Sequence, residues 1–554
     1  MDTSEQQIDR EKLNFTTKLA YGSGDLGPAI AANIQAFFLL YFFTNAAGLP
    51  VGLAGIVLAI GRIGDAVNDP VVGILSDRTR TRWGRRIPWM LCGAIPFGIF
   101  LLLQWVIPQF SDSADINKWS LFAYYVIIGI LFNLAYTVVN LPYTALTPEL
   151  TKDYNERTSL TSFRFAFSIG GSILALVLAR LIFQTYVDDL QQRYLVLGSV
   201  SSIISIIALF WSASRIQERG ALPLLNQKFK KILGFILTIV GTIFVVYGIT
   251  QLIGNKTTIN LYGIIGSLLG LLTIAFGLTL IFAKTEPHLN NVEAIEARNI
   301  ANSVPTIPIK EQIKIAFNNQ AFLYVIGIYL CSWLSFQLTA SILVYFSVSW
   351  MGMTEAGSST VALAVQGTAF VMLFCWTFIS RKIGKRAVFA IGTIIWILAQ
   401  GGLFLIQPGQ LQQLYVLAIL AGFGVSVAFL IPWSMIPDVV DLDELNTGQR
   451  REGVYYSFMV LLQKFGLALA LFLVSQALSF SGFVEQLPGG EVPVQPDSAL
   501  LAIRIAIAPL PTIFLIIGLV LTYFYPITKE VHADIRRQLK ARKDSEIRGE
   551  QSEF

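Results

Sequence analysis

The chain has 554 residues, of which 54% are hydrophobic and 14% charged, with a mean hydropathy of +0.62. That composition excludes a soluble globular domain and specifies a polytopic, all-α membrane protein. The net charge of +5 comes from short basic clusters between apolar runs, which are topology signals rather than a nucleic-acid patch. Cys92, Cys331 and Cys375 all fall within apolar segments, so neither a disulfide framework nor a zinc site is expected. His288 and His532 lie outside the apolar runs, which excludes an intramembrane histidine relay and a serine–histidine–aspartate set. No cofactor is expected.

A charged tail, 1–26, precedes the first apolar run, and no cleavable signal peptide is expected. Runs long enough to cross about 30 Å of hydrocarbon follow at 27–48, 51–76, 88–107, 119–146, 160–183, 195–213, 232–254, 259–283, 320–349, 358–380, 387–407, 411–435, 453–479 and 499–525. Fourteen spans place both termini on one side. The loops SDRTRTRWGRR, RIQERG with KFKK, and SRKIGKR, together with the tail 527–554, are rich in Lys and Arg. The alternate loops 350–357 and 480–498 have none, so both termini are expected in the cytoplasm of a cell membrane. Twelve spans fit equally if 232–283 forms a re-entrant hairpin.

A weak internal repeat divides the chain. Gly73 to Arg78 with Gly84, Arg85 and Arg86 follows the second span, and Arg381 to Arg386 follows its counterpart. This predicts an N-terminal six-helix bundle over 27–213 and a C-terminal one over 320–526. The linker 214–319 carries two extra spans, 232–254 and 259–283, which contain almost no buried charge and are expected to be structural. Within 285–319, IPIKEQIKIAF has the pattern of a surface helix.

Polar residues inside spans mark function, because each charge at mid-bilayer depth costs about 2.5–3.5 kcal/mol. The first span holds Asn33 and Gln35. The second holds Arg62, Asp65, Asn68 and Asp69, with both acids on one helix face at i, i+4 spacing. Pro70 follows and is expected to free the Ala66 carbonyl. Such an oxygen-rich cluster suits a hard cation; the alternative is a buried ion pair with Arg62. The fourth span supplies Tyr136, Thr137, Asn140, Tyr143 and Thr144, and the fifth supplies Arg164, either a site residue or a topology charge. Gln337 lies in the first span of the later half. Lys464 is ten residues into an apolar helix and needs a partner, either the second-span acids or a local one. The candidate gate comprises Asp77, Arg78 and Arg85 with Asp438, Asp441 and Arg450; a solvated loop is the alternative for the acidic cluster. GSGDLG at 22–27 matches GxGxxG, but no strand precedes it and a membrane span follows.

RIGDAVNDPVVGILSDRTRTRWGRRIPW, NLPYTALTPEL, IPDVVDLDEL and LLQKFG resemble the glycoside–pentoside–hexuronide:cation symporters of the major facilitator superfamily. The resemblance covers both predicted bundles. It implies a Na+ site at Asp65, Asn68, Asp69 and Thr137, a charge network through Arg62 and Lys464, and substrate contacts at Tyr136 and Arg164. The melibiose carrier's first-helix lysine–aspartate pair is replaced by Pro28 and Ala29, with Asp25 three residues earlier. Its fourth-helix aspartate and tryptophan are Asn140 and Thr144 here.

The expected function is secondary active transport, with a cation, Na+ or H+, driving symport of a sugar, glycoside or uronide by alternating access. Asn33, Gln35, Asn140, Tyr143 and Gln337 favour such a polar solute. The alternatives are a lysolipid carrier of the same fold, which needs an apolar flank open to the bilayer, and a non-transporting sensor. No nucleophile–base pair suggests an enzyme. The expected partners are the solute, a monovalent cation and the bilayer, with the chain as a monomer.

Overall fold

The computed structural model describes residues 13–79, 81, 83–150, 154–187, 189–218, 227–254, 261–281, 309–448, 451–486 and 493–552. Ten helices among them are long and apolar enough to cross a membrane. The predicted spans 51–76, 88–107 and 259–283 fall on shorter apolar stretches, Val51–Arg62, Ile87–Leu103 and Ile265–Leu278. The span predicted at 27–48 falls on α2 (Leu26–Ile34) and two π-helical segments, π1 (Gln35–Leu39) and π2 (Phe42–Ala46), with α1 (Phe15–Ser23) before them.

The chain divides into two compact units, Met1–Pro305 with Glu485–Pro493, and Thr306–Val484 with Val494–Phe554. The first contains α3 (Val51–Arg78), α4 (Ile87–Leu103), α5 (Ala114–Thr144), α6 (Thr147–Leu150), α7 (Tyr154–Thr185), α8 (Leu190–Arg215), α9 (Gln227–Gly254) and α10 (Leu261–Ile281). The second contains α11 (Ile309–Asn318), α12 (Gln320–Tyr345), π3 (Phe346–Trp350), α13 (Glu355–Ile383), α14 (Lys385–Leu405), α15 (Leu411–Thr447), α16 (Glu452–Phe480), α17 (Asp497–Ile507), α18 (Pro509–Phe524) and α19 (Lys529–Ser552). Glu485 and Gln486 group with the first unit because Val51 N–H donates to Glu485 Oε1 at 2.9 Å and Gln486 N–H to Asn45 Oδ1 at 3.4 Å.

Each unit repeats one pairing scheme. In the first, α3 packs on α5, α5 on α4, α4 on α8, and α2 on both α7 and α8. In the second, α13 packs on α15, α15 on α14, α14 on α18, and α12 on both α16 and α18. The repeat extends to helix ends. Segments π2 and π3 are followed by Gly48 and Gly352, each at φ 68°. Leu49 N–H then bonds Phe43 O, and Met353 N–H bonds Ser347 O, both at 2.9 Å. These bonds reach carbonyls that the helix end would leave unmet.

The basic turns differ in how they are held. Gly84 has φ 106°, and Arg85, Arg86 and Ile87 N–H donate to the Glu218 carboxylate at 2.7, 2.7 and 2.8 Å. Glu218 thus satisfies the orphan donors and the positive dipole end at the start of α4. A β-carbon on Gly84 would lie 2.3 Å from Glu218 Cδ, so the turn requires glycine. In the second unit, Arg386 instead donates to the Thr522 and Tyr523 carbonyls at the end of α18.

The two extra helices pack on each other through glycines. A β-carbon on Gly241 would stand 2.7 Å from Gly270 O, and one on Gly234 2.6 Å from Gly277 O. Small residues permit such close backbone approach between membrane helices. Helix α10 rests on α8, with Phe276 and Leu280 beside Trp211, while α9 leaves Phe235, Ile239 and Ile243 exposed. The predicted surface helix is α11, whose Ile315 packs against the core of the second unit. The C-terminal tail predicted at 527–554 contains α19. Its Ile535 and Leu539, four residues apart, are buried against α15.

Candidate functional site

The second-span acids lie on α3, which is unbroken from Val51 to Arg78 and so passes through Pro70 without a break. Asp65 is on this helix, but its side chain is outside the described residues. Asn68 and Asp69 are half-buried. Thr137 on α5 is 2% exposed, and its hydroxyl donates to Asp69 Oδ1 at 3.0 Å. The α3–α5 packing therefore brings a carboxylate and a hydroxyl 68 residues apart into one place.

Arg62, one turn before Asp65, is embedded in amides. Its Nη2 donates to Gln35 Oε1 at 2.9 Å and its Nη1 to Asn133 Oδ1 at 3.4 Å. Gln35 Nε2 donates in turn to Gln104 Oε1 at 2.8 Å, and Asn133 Nδ2 to Gly129 O at 2.9 Å. A β-carbon on Gly61 would come within 3.0 Å of Asn133 Nδ2, so glycine lets α5 approach here. Sequence reasoning selected Arg62 and Gln35 but missed Asn133 and Gln104. Their polarity inside apolar spans was the available signal.

A second polar group surrounds Arg164 on α7. Its Nε lies 3.8 Å from Asp25 Oδ2, and Asp25 also hydrogen-bonds Ser168. Tyr21 and Tyr143 stack here with ring centroids 5.1 Å apart. Tyr143 Oη donates to Tyr21 O at 2.6 Å, and the Tyr21 hydroxyl bonds Thr147 Oγ1 at 2.5 Å. The structure thus brings Asp25, three residues before Pro28, against Arg164. Asn140 Nδ2 lies 3.5 Å from Tyr136 Oη, while its Oδ1 is buried with no hydrogen-bond partner. Thr144 is committed to its own helix, donating to Leu141 O at 3.0 Å. Asn33 donates to Ser172 Oγ at 2.6 Å, which ties α2 to α7.

In the second unit, Gln337 is 4% exposed, and its Oε1 has no hydrogen-bond partner. Lys464 is half-buried midway along α16. Three acids of the cluster on α15 have partners in this unit. Asp438 accepts from Lys385 Nζ at 2.7 and 2.8 Å, and Asp441 lies 3.1 Å from His532 Nε2. Asp443 takes a bidentate bond from Arg451 at 2.6 and 2.9 Å. That bond raises the Arg451 guanidinium above arginine's ordinary pKa. Asp443 belongs to the acidic cluster and Lys385 to the basic turn read from sequence, while His532 is marked there only as lying outside the spans. Asp77's side chain and all of Arg450 lie outside the described residues. Arg78 is exposed at the end of α3, and Arg85 sits in the turn on Glu218.

Two units with one helix-pairing scheme, many exposed apolar side chains and a polar interior in the first unit are the pattern of a multi-pass membrane protein. The major facilitator fold accounts for this architecture. A solved xylose transporter of Escherichia coli, in its inward-open form, matches with a TM-score of 0.53 at 12% identity, over 93% of this chain and 95% of that one. The profile of the MFS/sugar transport protein family matches residues 20–231 and 212–529. An uncharacterized symporter of Synechocystis is 57% identical over 98% of this chain and 99% of its own length. A sodium-dependent lysophosphatidylcholine symporter of Danio rerio is 25% identical over 97% of this chain and 90% of its own length. The chain belongs to the MFS/sugar transport protein family and is a cation symporter of the major facilitator superfamily, not an enzyme.

Proposed function

We propose that the protein couples inward Na+ movement to uptake of a hydroxyl-rich solute, a sugar, glycoside or uronide. The carrying observation is the Thr137–Asp69 contact at 3.0 Å, which joins a carboxylate on α3 to a second oxygen donor on α5. With Asn68 and Asp65 on the same face of α3, these residues supply the oxygen ligands that a hard cation requires. A full oxygen set favours Na+ over a proton. The amide- and hydroxyl-rich interior of the first unit, including Asn33, Gln35, Tyr136 and Asn140, supports a polar solute. Coupling works when cation and solute raise each other's affinity. One inward charge gains about 2.3 kcal/mol per 100 mV, roughly a 50-fold concentration ratio. The basic loops orient both termini to the cytoplasm of a cell membrane.

A second reading, lysolipid transport, is favoured by the end-to-end similarity to the sodium-dependent lysophosphatidylcholine symporter. Both readings share the cation site and differ in cargo. Uptake of labelled sugars, uronides and lysophosphatidylcholine into proteoliposomes, with and without a Na+ gradient, tests them together. Gradient-stimulated sugar or uronide uptake supports the first reading, and gradient-stimulated lysolipid uptake supports the second. Uptake that ignores the Na+ gradient refutes cation coupling by sodium.

A further inference from the structure

The two extra helices carry a groove that neither the cation nor the solute uses. Helix α9 packs chiefly on α10, along the seam of Gly234, Gly241, Gly270 and Gly277. Beside the lysine-rich end of that seam lies a cavity of about 590 Å3, lined by Lys231, Ile232, Phe235, Ile236 and Ile281. Its volume falls within the range of about 300–1,000 Å3 typical of small-molecule sites. Residues 231, 232, 235 and 236 recur at helical spacing and form one stripe along α9. Lys228 extends the stripe by one turn at one end, and Ile239 and Ile243 extend it at the other, all of them exposed. At 1.5 Å per residue, Phe235 lies about 6 Å from Lys231 along the helix and Ile243 about 18 Å. That reach matches the roughly 15 Å of hydrocarbon in one leaflet. Neither α9 nor α10 contains an acidic residue, and their only charges are Lys228, Lys230 and Lys231, all at one end. The groove is therefore cationic at its mouth and apolar along its length.

We propose that this groove binds a phospholipid with an anionic head group, its phosphate at Lys228 and Lys231 and an acyl chain along Ile232, Phe235, Ile236 and Ile239. The match is one of charge and of length. A zwitterionic phospholipid covers the same apolar stripe but brings a cationic amine to the lysines. A soluble anion pairs with the lysines but leaves the stripe uncovered. KFKK is one of the basic loops that orient the chain, so the mouth opens at the head groups of the leaflet those loops face, where anionic lipid is attracted to clustered lysine. No residue of the cation or solute reading takes part, so the inference stands apart from the cargo.

The test is native mass spectrometry of the purified full chain, titrated with phosphatidylglycerol or with phosphatidylcholine of the same acyl chains. The wild type is expected to bind its first phosphatidylglycerol more tightly than its first phosphatidylcholine. Lys231→Gln should weaken phosphatidylglycerol about fivefold, and Lys228→Gln with Lys231→Gln about 25-fold, each with little change for phosphatidylcholine. Lys231→Arg should keep the preference. Lys540→Gln, at an exposed position on α19, should leave it unchanged. The substituted lysines are exposed, and the unfolding midpoint without added lipid should stay at the wild-type value in each variant. Equal binding of the two lipids by the wild type, or a preference that survives the double substitution, overturns the inference. An equal loss in Lys540→Gln also overturns it, because the preference would then follow the chain's overall charge and not a site.

Discussion

Asp69→Asn is the most direct perturbation of the cation reading. Thr137, 2% exposed, donates to Asp69 Oδ1 at 3.0 Å, so this side of the carboxylate faces protein rather than water. A cation about 4 Å from a carboxylate gains about 4 kcal/mol at an effective dielectric of about 20. Asparagine forfeits that attraction, and Na+ affinity is expected to fall about 1,000-fold. Thr137→Val acts differently, deleting a neutral oxygen and a hydrogen bond to a charged group worth about 1.5–3 kcal/mol. That bond also stabilises the cation-free state, so only part of its loss reaches the affinity, about 1 kcal/mol or fivefold. In the Asp69→Asn background Thr137→Val should cost almost nothing more, which makes the pair non-additive by about 1 kcal/mol. The assay is Na+-dependent stabilisation of the purified protein. At a Na+ concentration 100 times the wild-type Kd the gain is about 2.7 kcal/mol, and for Asp69→Asn it drops to about 0.1 kcal/mol or less. Asp69→Asn with the wild-type Na+ response would refute the assignment, and strict additivity of the two substitutions would refute the coupling between them.

Glu218→Gln removes the charge that accepts from three backbone donors at the start of α4, and should destabilise the protein by about 2–4 kcal/mol. Gly84→Ala forces a β-carbon to within 2.3 Å of the same carboxylate at φ 106°, and should lower the unfolding midpoint independently of Na+. Gly241→Ile should separate α9 from α10, read as lost cross-linking of a cysteine pair engineered across that seam, because its side chain meets Gly270 O and Ile274. Ile535→Asp should release α19 from α15, and trypsin should then cut at Arg536 and Arg537 about tenfold faster, with the rest of the chain still resistant.

Membrane insertion selects long apolar helices whatever their neighbours, and most predicted spans accordingly fall on observed helices. Internal satisfaction of backbone polar groups leaves few other solutions in lipid. The pairing of Arg381 to Arg386 with the first basic turn likewise marked a repeat that the helix packing reproduces. The i, i+4 spacing alone puts Asp65 and Asp69 on one face of α3, because a helix fixes neighbours at short range. The same local logic was available for Ile535 and Leu539, whose spacing marks a docking face on α19.

Long-range partners had no such signature. That Thr137 meets Asp69 depends on how α5 rotates against α3, and that Glu218 caps α4 depends on where α8 ends. Asp25 stood three residues from the expected position, yet the turn between α1 and α2 at Gly24 carries it to Arg164. Neither period nor hydropathy encodes such a turn. The sequence by itself determined the spans and the face on which the acids lie, since these follow from transfer energies and helical geometry, and its motifs carried the family resemblance. Only the tertiary structure decided which hydroxyl meets Asp69 and which carboxylate neutralises Arg164. Those contacts depend on the rotation and approach of helices whose polar residues are sparse enough to allow several pairings.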